Sequence, residues 1–142
     1  MRLRNVVIVA VAVIAILAII GALLPKEQVL VEISGSYPPD TFIYKEFTVD
    51  EAGTYKVVIE ATEGYYFWYV LNCTEAEFEA ALSQEDLFPL TTRPGSQMTP
   101  GPAEAPPIEY EIELQPGTYV FAVVQTASPL GEVEFTAKIV EA

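Results

Sequence analysis

IEYEIELQPGTYVFAVVQT, residues 108–126, is the stretch whose reading decides the fold. Its first half alternates strictly, with Ile108, Tyr110, Ile112 and Leu114 on one side and Glu109, Glu111 and Glu113 on the other. A period of two marks a strand buried on one face and solvated on the other. Gln115-Pro116-Gly117 then turns the chain, and Thr118–Gln125 reads as the returning strand.

The same phrase occurs upstream. Phe47-Thr48-Val49 leads into the turn Asp50-Glu51-Ala52-Gly53, and Thr54–Glu60 restarts with Tyr55, Val57 and Ile59 on one face. In both places Gly-Thr-Tyr reopens a strand, so Tyr55 and Tyr119 are expected to be buried corner residues. Val29–Ile33, Thr41–Val49, Tyr65–Leu71 and Glu132–Val140 carry further strand patterns, with Gly35 to Asp40 and Ser128 to Gly131 as turns. Seven short strands separated by Gly/Pro turns predict an all-β fold, an antiparallel β-sandwich with a short helical insert.

Three segments interrupt that pattern. Tyr65, Tyr66, Phe67, Trp68 and Tyr69 are consecutive aromatics, and alternation sends two of them opposite to the other three. One set must leave the sandwich core, which makes the run a candidate interaction surface or sugar platform. Asn72-Cys73-Thr74 is an N-glycosylation acceptor sequence, and Thr74 with Glu77 also forms a capping box that opens a short helix of Phe78, Ala81 and Leu82. Pro89 to Pro107 holds six prolines and two glycines, and is expected to be a stiff loop outside the strand ladder. Together with the aromatic run it is expected to form the partner-binding surface.

The amino terminus is of another kind. Val6 to Leu24 is nineteen residues without a charge, about 28 Å as a helix and close to the thickness of a bilayer core. Arg2 and Arg4 precede it and Pro25 ends it, so residues 1–25 read as a retained transmembrane anchor with a cytoplasmic start. Residues 26–142 are then one exported domain. Ala15, Ala18 and Ala22 form a stripe on which a second helix could pack. The linker from Pro25 to Val29 is short, which is expected to hold the domain close to the membrane.

Composition excludes several functions. Beyond residue 25 five cations face twenty acids, a net charge of −15, which disfavours nucleic acid and anionic lipid. Histidine is absent and Cys73 is the single cysteine, so no His-based triad, zinc site or internal disulfide can form. No cofactor, metal or catalytic residue is expected, and the chain does not read as an enzyme.

The phrases FTVDEAGTYKVVIEA, FWYVLN and ELQPGTYVFAVVQT, separated by a short acidic helical insert, resemble GOLD-like (p24/emp24-type) sandwich domains. They are also similar to the pre-peptidase C-terminal type of small sandwich found on exported prokaryotic proteins. The resemblance covers about residues 41–140 and implies a non-catalytic binding or assembly module. The chain departs from the p24 pattern by carrying its anchor at the N-terminal end. The leading expectation is therefore an accessory or assembly subunit of a membrane complex in the cell envelope, with a protein partner in or at the membrane. A surface module for carbohydrate or peptide is the alternative. A filament or surface-layer block is the third, using Val29–Ile33 or Glu132–Val140 as open edges.

Overall fold

The computed structural model describes residues 28–126 and 133–142. Within them lie strands β1 (Val29–Tyr37), β2 (Phe42–Val49), β3 (Gly53–Ala61), β4 (Tyr65–Leu71), β5 (Gln97–Met98), β6 (Ile108–Leu114), β7 (Gly117–Thr126) and β8 (Val133–Glu141). Helices α1 (Glu75–Ser83) and α2 (Phe88–Thr91) connect β4 to β5. The expected anchor, with Ala15, Ala18 and Ala22, lies outside the described residues. Among those described, no helix is long and apolar enough to cross a membrane.

The strands form two four-stranded sheets, ordered β1-β8-β3-β6 and β2-β7-β4-β5, and neighbouring strands pair antiparallel. Alternation explains which faces meet. Val57, Ile59, Ile112, Phe135, Ala137 and Ile139 point inward from the first sheet, and Phe47, Trp68, Val70, Phe121 and Val123 from the second, into one core. The glutamates at 109, 111 and 113 stay exposed, as the period of two requires.

Both Gly-Thr-Tyr corners are built as expected. The Tyr55 hydroxyl donates to the Glu51 carbonyl at 2.6 Å and that of Tyr119 to the Gln115 carbonyl at 2.9 Å, each four residues back across its turn. Both rings are buried, and Tyr119 stacks on Phe47 with centroids 5.8 Å apart.

Two expectations need correction. β1 does not stop at Gly35 but runs to Tyr37. The Tyr37 ring folds back over Gly35, where a Cβ would come within 2.8 Å of its hydroxyl oxygen, and it packs on Phe135. Glycine at φ 148° leaves room for that ring. Nor is the segment ending at Val140 an open edge, because β8 lies between β1 and β3.

The free edges on that side are β1 and β2, which run beside each other in opposite sheets. Lys45 sits opposite Phe121 in the inward register of β2 and donates from Nζ to the Glu32 carbonyl of β1 at 3.1 Å. An inward-directed charge on an edge strand disfavours pairing with another chain. Lys45→Val is therefore expected to raise self-association, read as a higher weight-average mass in sedimentation equilibrium at unchanged circular dichroism. An unchanged mass would show that Lys45 does not guard this edge.

Candidate functional site

The second sheet has an outer face, and the helical insert lies on it. α1 begins at Thr74, whose hydroxyl accepts from Glu77 N–H at 3.2 Å while Thr74 N–H donates to Glu77 Oε1 at 2.9 Å, the expected capping box. Phe78 drops from α1 onto the sheet between Phe42 and Tyr44, at centroid distances of 6.0 and 4.8 Å. Leu71, Cys73, Leu90, Val120 and Ala122 complete this second, smaller core. β7 is consequently buried on both faces, which accounts for its nearly unbroken apolar run.

Arg93 fastens the insert. Its guanidinium makes a two-pronged pair with Glu77, both bonds 3.0 Å, and a third bond to the Asn72 carbonyl. The hydrogen bonds from Arg93, and then from Thr74 N–H, hold the Glu77 carboxyl down at about 2. Because its folded value is depressed, its contribution is present above the ordinary 4.5 and is lost as pH falls through about 2. The gap in melting temperature between wild type and Glu77→Gln is expected to close across that acid window. A gap that persists below it would show that the pair does not stabilise the insert. Burial, and next the Glu77 charge, push the Cys73 thiol up to about 11, so it is protonated at neutral pH and no nucleophile.

The aromatic run divides by register. Tyr66 and Trp68 point into the sandwich core at 0% and 2% exposure and do not form a surface, which corrects the expectation for these two. Their rings fill the space between sheets, Tyr66 against Phe135 and Trp68 against Tyr110. Tyr65, Phe67 and Tyr69 face outward: Tyr65 is half exposed, and the other two are partly covered. Phe67 lies across Val124 from Phe42, and Tyr69 lies between Ala122 and Met98. An apolar strip thus crosses this face, with exposed Met98 at one side, and α2 separately exposes Phe88. Next to it Phe42, Leu82, Glu85, Asp86 and Leu87 line a cleft of about 500 Å³.

The proline-rich segment is not a free arm. Part of it lies along the β4 edge: Gln97 and Met98 pair with Val70 and Tyr69, Thr99 N–H donates to the Trp68 carbonyl, and Glu104 exchanges two backbone bonds with Tyr66. Proline removes a donor only where it stands, so Thr99 and Glu104, placed between prolines, can still join the ladder. Its two charges are anchored too, Arg93 on Glu77 and Glu104 under the Tyr110 hydroxyl at 2.6 Å. The residue types gave no signal for this docking, because it depends on which edge the segment meets. Asn72 is likewise engaged, its Nδ2 donating to the Pro94 carbonyl at 2.8 Å.

One end of the strip, at Tyr65, is remote from Gln28, while Tyr69 and Met98 sit midway along the sheet. Gln28, Glu141 and the turns after β2 and β6 gather at one end, where Glu141 N–H donates to the Gln28 carbonyl. Tyr65 and Phe42 lie at the other end, beside the β1–β2 and β3–β4 connections. Among the described residues, no group of three or more His, Cys, Asp or Glu is placed to hold a metal ion.

No family model and no curated protein matches this chain. Among solved structures, the pre-peptidase C-terminal domain of collagenase from Bacillus anthracis is similar at 15% identity. The match covers 82% of this chain and 97% of that domain, with a TM-score of 0.48. The likeness is one of fold.

Proposed function

We propose that this protein is an extracytoplasmic β-sandwich, anchored by residues 6–24, that serves as a non-enzymatic accessory or assembly subunit of a membrane complex in the cell envelope. The observation that carries the reading is the outer apolar strip of Tyr65, Phe67, Tyr69 and Met98, together with the separately exposed ring of Phe88 on α2, 70% exposed. Aromatic side chains of this kind are enriched where partners meet. With the anchor at the Gln28 end, Tyr65 lies at the end of the domain farther from the bilayer, where an extramembrane segment of a partner would meet it. A sugar platform built on Trp68 is not favoured, because that ring is in the core.

The test is purification of the full chain from native membranes in mild detergent, as wild type and as Tyr65→Glu with Phe88→Glu. Both positions are exposed, so the fold is expected to persist by circular dichroism while a co-purifying protein is lost. Retention of every partner by a folded variant would overturn this reading. Intact mass of the membrane-derived chain checks the anchor, and a mass beginning at Leu23 would refute it.

A further inference from the structure

We infer that the cleft beside Leu87 and Phe88 receives an amphipathic helix carrying Lys or Arg; the inference rests on the docking role proposed above. The floor of the cleft is apolar, with Phe42 from the sheet, Leu82 from α1 and Leu87 from the following loop. Its rim is acidic, with Glu85 and Asp86 both exposed. The loop carrying them is fixed, for Glu85 N–H donates to the Leu82 carbonyl and Asp86 N–H to the Ala81 carbonyl, while Asp86 Oδ1 accepts from Phe88 N–H. An apolar floor with one charged rim matches a helix whose apolar face is flanked by a cation about one turn away.

The sign of that charge follows from the rest of the chain. The described cations are engaged elsewhere: Lys45 on the Glu32 carbonyl, Lys56 on Glu109, Arg93 on Glu77, and Lys138 with a partner of its own. The acids from residue 26 onward exceed the cations by 15, so the rim has little within the domain to neutralise it. The same excess repels anionic lipid, leaving a basic protein segment as the complementary occupant.

The experiment places the photo-reactive residue p-benzoylphenylalanine at 88, at 65 and, as a control on the opposite face, at 111, in the full chain within its native membranes. Irradiation at 88 is expected to join the chain to a protein segment with an apolar residue and a Lys or Arg within one helical turn. Glu85→Lys with Asp86→Lys is expected to lower that yield on the order of tenfold, and less so at high salt. A crosslink from 88 to a neutral or acidic segment, or a yield indifferent to the charge reversal, overturns the basic-helix assignment and leaves the docking role standing. A crosslink from 88 to lipid, or none at 88 with one at 65, likewise overturns the cleft assignment. No crosslink at either position removes both readings.

Discussion

Trp68→Ala is expected to destabilise the domain by about 3–5 kcal/mol, the usual cost of removing a large aromatic from a packed core. The indole is 2% exposed, leans on Tyr110 at 5.8 Å, and its backbone is held on both sides by Thr99. Collapse around the missing ring is restricted, because Val70, Phe121 and Val123 are themselves fixed by the sheets. Domains of this size have stabilities of roughly 5–15 kcal/mol, so the loss is a large share of the total. Trp68 is the single tryptophan, and urea unfolding must therefore be followed by circular dichroism. Tyr65→Ser on the outer face is expected to shift stability by no more than about 0.5 kcal/mol. If the Trp68→Ala midpoint matched wild type while partner binding was lost, Trp68 would belong to the surface after all.

Tyr119→Ala, and separately Tyr55→Ala, should each cost about 3–5 kcal/mol by the same mechanism. The more informative pair is Tyr119→Phe and Tyr55→Phe, which keep the ring and remove one hydrogen bond. Each is expected to cost about 1 kcal/mol, since the carbonyl of Gln115 or Glu51 loses the donor that ties the turn to its strand. Unchanged midpoints in both Phe variants would mean that the hydroxyls are idle. Burial first, and then the charge of Glu141, raise the Tyr55 phenol above its ordinary 10.0. Its contribution is therefore complete below that value and is lost as pH climbs past it, which places the corner's weakness in alkali.

Strict alternation at Ile108–Leu114 and the repeated Gly-Thr-Tyr made most strands and both corners readable, because a period of two fixes which side chains share a face. The capping box at Thr74 was readable for the same local reason. What the sequence could not convey depends on neighbours distant in the chain. The aromatic run announces that it divides in two, but only pairing with β7 decides that Tyr66 and Trp68 turn inward. Likewise Gln97 and Met98 become a strand through the edge they meet, not through any pattern of their own. The acid-rimmed cleft joins Phe42 to Leu87 across half the domain, and no motif marks it.

The position of β8 has a consequence for how the molecule comes into being. Residue 29 pairs with residue 140, and β8 also supplies the neighbour that β3 shares with β1. A chain emerging N-terminus first exposes β1 long before its partner strand exists. The β3–β6 pair can form earlier, but β1 stays unpaired and the first sheet stays open until β8 has been synthesised. Such distant pairings make for slow closure. During that interval the surplus of carboxylates serves as a built-in spacer, keeping half-made copies apart by mutual repulsion.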